Sequence, residues 1–298
     1  MAWWNQITRL VSDPPPSHLF ELSEAGIAFA QAKETGFEAF EPGTLAVSPT
    51  EDNLLRADAA AAAIARIAAD GTGGRKRKPA AVILPDYAAR VSVLDFDSFP
   101  AAEPEQSALV RFRVKKTIPF DIESAAVSYY VQPHASHGAN SKRIEVLAVT
   151  VALEVIARYE ALFRSTGFHP GVVTTSALAA LNLLNQGEGV AVLAKLSGRA
   201  LTVSVIANNT VKLFRCVALE EASEDEILAV LNPTFAYVED ELTEPVRRLI
   251  VCGIPLEIAA RVPKKSQPAC EVEPLRSRFG APGPFNAGLL GYLEGAES

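Results

Sequence analysis

Cysteine is scarce in this chain of 298 residues, and its arrangement argues against disulfide bonds and against a structural zinc site. The three cysteines, Cys216, Cys252 and Cys270, are odd in number, widely spaced and without a Cys-x-x-Cys pair. This pattern is typical of reduced thiols in a cytosol and offers no zinc site. The chain is long enough to bury a substantial core without disulfides or metals. We therefore expect a cytoplasmic protein that is stabilised by its hydrophobic core.

Long hydrophobic runs are also absent. Nowhere do eighteen apolar residues follow one another without a charge, and the start lacks a basic region followed by an apolar one. We therefore expect no membrane-spanning helix and no secretory signal. The first residues, MAWWNQITRLV, instead place apolar side chains at helical spacing before three prolines. Such a helix has two interpretations: Trp3 and Trp4 contact a membrane interface, or the helix packs on its own domain.

Strong catalytic motifs and an excess of basic charge are missing as well. The chain has no Walker loop, dinucleotide fingerprint, Gly-x-Ser-x-Gly elbow or His-Glu-x-x-His pair, so we predict no catalytic residue. A formal net charge of -7 argues against wholesale nucleic-acid binding. His134 and His137 could bind a metal only with a third converging ligand, and a surface loop is the favoured interpretation. We predict no metal site.

What the sequence does contain is an alternation of helical and strand patterns. Buried strands are predicted at Val82–Leu84 and Ile144–Ala152, and an amphipathic helix at Glu154–Thr166. Three further strands follow between residues 190 and 217, and a helix is predicted over Asp240–Arg248. The pattern indicates an alternating α/β fold.

One segment carries a more specific signal. The stretch VRFRVKKTIPFDIESAAVSYYVQ, from Val110 to Gln132, resembles the signature of the PilM family, in which a charged helix leads into an Ile-Pro-Phe turn, an acidic step and a Tyr-containing strand. EVLAVTVALEVIARYEALFRSTGFHPGVVTTSALAALNLL, from Glu145 to Leu184, is similar to the strands and helices that follow in that family. With VILPDYAARVSVLDFDSFP upstream, the resemblance spans about two thirds of the chain.

The resemblance implies an α/β, actin-like (ribonuclease H-like), two-lobed fold with an inserted subdomain of the FtsA/PilM type. The implied domains are an N-terminal helix and Pro-rich linker at 1–16, a first lobe at 17–100, the insert at 101–175 and a second lobe at 176–298. Only about thirty residues separate Val217 from Leu249, too few for the subdomain that covers the nucleotide in actin-like proteins. We therefore expect a reduced second lobe.

The resemblance also locates a nucleotide site between two hairpin turns and a glycine-rich turn. In each turn this chain departs from the family: Asp-x-Gly becomes Glu21-Leu22-Ser23-Glu24 in the first hairpin and Lys195-Leu196-Ser197-Gly198 in the second, and consecutive glycines become Cys252-Gly253-Ile254-Pro255. An acid at the first turn repels phosphate, a cation replaces the metal-organising acid at the second, and bulky residues obstruct the third. We expect neither ATP nor Mg²⁺ as a cofactor.

The resulting hypothesis is a non-catalytic scaffold, a pseudo-ATPase, at the inner face of the inner membrane. It implies binding of a short cytoplasmic peptide of a PilN-like membrane protein, and contact with other pilus platform proteins. The residues predicted to line the peptide groove between the first lobe and the insert are Arg111, Lys115, Pro119 and Phe120.

Two alternatives stay open. One is a divergent ATPase that binds Mg-ATP through altered residues. The other is a membrane-surface adaptor that uses Trp3, Trp4 and the basic helix from Arg111 to Lys116. The sequence also leaves open whether the machine is a pilus or a secretion system.

Overall fold

The chain alternates strands and helices, as the pattern predicts. The computed structural model describes residues 16–31, 34–48, 53–69, 77–133, 143–185, 187, 189–262 and 270–297. Within these ranges the strands are β1 (His18–Ser23), β2 (Gly26–Gln31), β3 (Glu34–Ala39), β4 (Lys78–Leu84), β5 (Arg90–Phe96), β6 (Ala125–Val131), β7 (Ile144–Ala152), β8 (Phe168–Thr175), β9 (Val190–Ser197), β10 (Ala200–Ala207), β11 (Thr210–Ala218), β12 (Val246–Cys252) and β13 (Glu271–Pro274). The helices are α1 (Ala57–Ala69), α2 (Glu103–Val114), α3 (Leu153–Ser165), α4 (Ser176–Ala180), α5 (Glu224–Tyr237), α6 (Leu256–Ala259) and α7 (Ala287–Glu297).

Two five-stranded sheets share one plan. Their strand orders are β3-β2-β1-β4-β8 and β11-β10-β9-β12-β13. In each, three antiparallel strands come first in the chain, and two further strands then run parallel to the first of them. The carboxyl ends of β1, β4 and β8 therefore meet at one edge of their sheet, and those of β9 and β12 meet at one edge of the other. Ligand sites of α/β sheets form at such edges.

The third sheet, β5-β7-β6, is the inserted subdomain. α2 covers one of its faces through the buried side chains of Val110 and Val114. Strand pairing moves the boundaries expected from the sequence. β5, placed by the sequence in the first lobe, pairs with β7 of the insert, whereas β8, placed in the insert, pairs with β4 of the first lobe. Hydrogen bonds between distant strands decide this, and they leave no local mark in the sequence.

The two lobes are held together by a layer of two helices. α4 and α7 lie between the sheets, with Ala179 and Leu289 packed against the first sheet and Ala180 and Leu290 against the second. Outside this layer, α1 and α3 cover the first sheet, and α5 covers the second. We call the first sheet with α1 and α3 the first lobe, and the second sheet with α5 and α6 the second lobe.

The insert is fixed to the second lobe at β11. The Gln132 side chain donates to the Val211 carbonyl at 2.9 Å and accepts from the Val211 amide at 2.7 Å, so one amide satisfies both backbone groups of that residue. Beside it, Lys212 Nζ lies 2.6 Å from both carboxylate oxygens of Glu145. Apolar side chains, Leu147 among them, pack under this contact. The insert therefore has a defined position on the second lobe.

The fold departs from the sequence-based expectation in two further places. The helix expected over residues 240–248 is not found with those limits: α5 continues as a π-helical turn that ends at Leu242, and β12 already begins at Val246. Thr243 takes a left-handed backbone conformation with φ 54°, which ends the helical run. β3 and β13 were not expected from the sequence. The described part between β11 and β12 thus holds one α-helix and the π-helical turn, as expected for a reduced second lobe.

Several sequence-based hypotheses fall outside the described residues. These are the helix with Trp3 and Trp4, and the loop with His134 and His137. Among the helices that the structure describes, none combines the length and the apolar character that crossing a membrane requires.

Candidate functional site

The two hairpin turns that the resemblance singled out face each other across the junction of the lobes. The turn between β1 and β2 is closed by the Ser23 hydroxyl, which donates to the Gly26 carbonyl at 3.0 Å. Opposite it, Gly198 has φ 57°, and a Cβ atom there would lie 2.5 Å from Oε2 of Glu24. Arg199 in the second turn lies 4.0 Å from the other oxygen of that carboxylate. A carboxylate of the protein itself therefore stands between the two turns.

Behind the turns lies a buried group of three charged side chains, Glu21, Asp86 and Lys195, which we call the junction cluster. Glu21 is on β1, Asp86 follows β4, and Lys195 is on β9. Lys195 Nζ lies 3.3 Å from Oδ2 of Asp86, and the two side chains are 1% and 2% exposed. Charged groups are rarely buried unless they are paired. The pair joins the first lobe to the second.

Asp86 is held by three donors. Its Oδ1 accepts the backbone N–H of Ala177, at the start of α4, at 2.6 Å. Its Oδ2 accepts the Thr202 hydroxyl of β10 at 3.0 Å, in addition to Lys195. Its position follows from the chain, because Pro85 ends β4 and Asp86 opens a 3-10 turn at the carboxyl edge of the sheet. The carboxylate thus connects β4, α4 and the second lobe.

Glu21 is bound to both central helices. Its Oε2 accepts the backbone N–H of Leu289 in the first turn of α7 at 2.6 Å, and its Oε1 accepts the Ser176 hydroxyl at the start of α4. Helix N-termini favour a negative charge, because their first N–H groups have no partner within the helix. Burial raises the pKa of Glu21, and Lys195 opposes that shift.

Lys195 keeps its charge in this environment. Burial by itself lowers the pKa of a lysine, but the carboxylates of Asp86 and Glu21 outweigh it, so the pKa of Lys195 lies above its usual value. Burial also raises the pKa of the nearby Cys216 thiol to about 12, which leaves that thiol protonated and unreactive. Lys195 is the cation of the cluster.

The third turn, at Gly253, is filled as well. Gly253 has φ 73°, and a Cβ atom there would collide with the backbone of Leu196 and lie 3.2 Å from Cβ of Pro284. The Cys252 thiol donates to the Gly283 carbonyl at 3.2 Å. The segment before α7 therefore occupies the space over this turn.

The residues at the junction differ from those expected of a magnesium–nucleotide site. The cation Lys195 stands where the resemblance expects the acid that organises the metal, and it is committed to Asp86. Glu24 stands between the turns that would receive phosphate, where its charge repels an anion. Within the described ranges there is no group of three or more His, Cys, Asp and Glu side chains that could hold a metal ion.

Comparison with solved structures is informative about the fold. A structure described as the PilM-PilN type IV pilus biogenesis complex matches with a TM-score of 0.75 at 14% sequence identity, over 96% of this chain and 100% of that one. The fold is actin-like and resembles that of PilM. The resemblance and the fold class inferred from the sequence are therefore confirmed.

The PilM-like fold is also found in a second relative at the level of structure. The cytoplasmic domain of EpsL, an inner membrane component of the type II secretion system of Vibrio cholerae, matches with a TM-score of 0.54 at 14% identity, over 94% of both chains. No protein-family model matches the sequence, and no curated protein does. Backbone geometry thus carries the likeness.

The residues predicted to bind a partner lie on the outer layer of the insert. Arg111 is occupied by its own subdomain, since its guanidinium donates to the carbonyls of Ile122 at 2.6 Å and Ala125 at 3.3 Å. Lys115 and Pro119 are exposed and Phe120 is half-buried. All four are near the carboxyl end of α2, on the face of the sheet opposite to the one that packs on β11. Their role in binding stays a prediction.

The structure places the residues that sequence reasoning singled out, Glu21, Ser23, Lys195, Ser197, Gly198 and Gly253, in or next to the three turns at the junction of the lobes. Asp86, Ser176 and Thr202 had not been recognised as site residues. One signal was available for Asp86, which follows an apolar strand after a single proline, at the edge where parallel strands end. Another was the lone Lys195 in the apolar run VAVLAKLS, because a buried cation requires a buried acid.

Proposed function

We propose that this protein is a non-catalytic cytoplasmic scaffold of a type IV pilus or a related secretion platform at the inner membrane, and that it binds a short cytoplasmic peptide of a PilN-like membrane protein. The observation that carries the proposal is the likeness along the whole chain to a structure described as the PilM-PilN complex. The likeness to the EpsL cytoplasmic domain supports the same class of machine.

The absence of catalysis is part of the proposal. It is supported by the junction cluster, in which every carboxylate oxygen already accepts a hydrogen bond from the protein. Phosphoryl transfer needs a metal and phosphate held between the lobes. The negative charge of Glu24 repels phosphate, and the positive charge of Lys195 repels a metal ion.

We propose the outer edge of β8 as the docking surface for the peptide. Within the described residues β8 pairs only with β4, so its other edge offers free backbone groups to an added strand. One large apolar side chain of this strand, Val173, is 37% exposed.

Two titrations test this function. Isothermal calorimetry against Mg-ATP and against ADP at millimolar concentration is expected to give no binding heat, whereas micromolar binding would favour the divergent ATPase. Fluorescence anisotropy with a labelled synthetic peptide, the cytoplasmic segment of the PilN-like protein of the same organism, is expected to show saturable binding.

Matched variants locate the peptide. Val173→Asp is expected to weaken binding at least tenfold, because it puts a charge beside the proposed strand edge. Leu256→Asp is the control, since Leu256 is 43% exposed but lies on α6 of the second lobe. Lys115→Ala tests the basic end of α2. Full binding by Val173→Asp together with loss in Lys115→Ala would move the peptide from β8 to α2.

A further inference from the structure

The junction cluster contains a cation at the point where the two lobes meet, and this cation is a side chain of the protein, Lys195. We propose that the ammonium group of Lys195 is a built-in counter-ion that holds the lobes closed, in the place where a nucleotide-binding protein of this fold would depend on bound metal and nucleotide. The inference concerns how closure is maintained and is independent of which partner the protein binds.

The distribution of charges between the lobes is the first reason. Both carboxylates of the cluster, Glu21 and Asp86, belong to the first lobe, and the cation comes from β9 of the second lobe. Without Lys195, two acids would be buried near each other with no opposite charge between them, and the charge of Asp86 raises the pKa of Glu21. The cation can therefore stabilise the buried acids of the first lobe only when the second lobe is in place.

The completeness of the hydrogen bonding is the second reason. Asp86 accepts from Ala177 and Thr202 as well as from Lys195, and Glu21 accepts from Ser176 and Leu289. These donors belong to the second lobe and to the two central helices. A ligand that entered the junction would have to displace protein donors from the acids.

The central helices supply the third reason. Gly288 and Gly291 bring α7 so close to α4 that Cβ atoms there would lie 2.7 Å from the Ser176 Cα and 2.8 Å from the Ala180 Cα. In this packing the Leu289 N–H donates to Glu21. At the start of α4, Ser176 donates to Glu21 and Ala177 donates to Asp86. The closed arrangement is thus built from the cation and the helix pair together.

Hydrogen–deuterium exchange of the full chain at pH 7 tests the inference. In Lys195→Met, amides of β1, of β9 and of the first turn of α7 are expected to exchange at least tenfold faster than in wild type. The outer helix α5 and strand β11 are expected to change less. Lys212→Met is the control: it removes the ion pair that fixes the insert, and it is expected to leave β1 and α7 protected.

A second variant keeps the test valid if Lys195→Met fails to fold. Glu21→Gln/Asp86→Asn/Lys195→Met removes all three charges but keeps side chains of similar size. We expect it to melt close to the wild type and still to show fast exchange at β1, β9 and the start of α7. Wild-type protection there in this triple variant would overturn the proposal, because the buried charges would then be incidental to closure. Slower wild-type exchange at the junction on addition of Mg-ATP would overturn it as well.

Discussion

The ion pair between Asp86 and Lys195 predicts a large coupling energy in a double-mutant cycle. The two charged atoms are 3.3 Å apart, and the side chains are 2% and 1% exposed. With an effective dielectric constant of about 20, their attraction is roughly 332/(20 × 3.3), or about 5 kcal/mol. Part of this offsets the cost of removing both ions from water. We therefore expect a coupling energy of about 2–4 kcal/mol.

The double variant should lose less stability than the sum of the losses of the two single variants. Lys195→Met leaves the Asp86 carboxylate buried without its cation and is expected to cost about 3–5 kcal/mol. At about 2 °C per kcal/mol for a protein of this size, the melting temperature should fall by roughly 6–10 °C. Asp86→Asn/Lys195→Met removes both charges and should recover most of the loss. Urea unfolding of the wild type, of Lys195→Met, of Asp86→Asn and of the double variant gives the four free energies of unfolding for the cycle.

A partly exposed pair provides the control for this cycle. Lys212 and Glu145 are closer, at 2.6 Å, but their side chains are 16% and 24% exposed. Water screens such a pair, and its coupling is expected to be about 1 kcal/mol or less. If the coupling of Asp86 with Lys195 were no larger than that of the control pair, burial would not strengthen the interaction and the reasoning would be refuted.

Three further predictions concern the packing, the insert and the pH dependence. Gly291→Ala should lower stability by about 1–3 kcal/mol in thermal melts despite its better helix propensity, because its Cβ meets α4, whereas Gly171→Ala, with open space around it, should not. Gln132→Ala should cost about 1–3 kcal/mol and speed amide exchange in β6 and β7, because both backbone groups of Val211 lose their partner; unchanged exchange would contradict the docking role. Backbone hydrogen bonds lower the pKa of Glu226 to about 2, so its stabilising effect should be present above pH 4.5 and disappear towards pH 2, and Glu226→Gln should flatten acid unfolding in that window.

Local patterns made much of the fold predictable. Strand β7 was predicted at its observed limits, and α3 within one residue, because each is long and strongly periodic. The turn between β10 and β11 also has a local cause, because Asn208 and Asn209 adopt positive φ, 52° and 60°, which asparagine tolerates. The helix expected at residues 240–248 was wrong, because pairing of β12 with β9 overrides local helix preference there.

Long-range pairing limited the prediction of the site. The three turns that depart from the PilM family could be identified one by one, since each is a short motif. The partner of Lys195 was not, because Asp86 is 109 positions away in the sequence and no local rule connects them. A buried lysine indicates that an acid must be near, but only strand order decides which of many acids it is.

A built-in cation changes how such a fold responds to its surroundings. If closure depended on a ligand, only the liganded fraction of molecules would present the closed arrangement, and the apparent affinity for any partner of that arrangement would fall by the same fraction. Under our proposal Lys195 is supplied by the chain, so closure depends on folding alone. Gln132 also fixes the insert on the second lobe, and the proposal therefore implies that the edge of β8 and the insert keep one relative position without a ligand. A scaffold that must hold a membrane protein's peptide continuously gains from this independence, whereas an ATPase cycle would lose the opening and closing on which it depends.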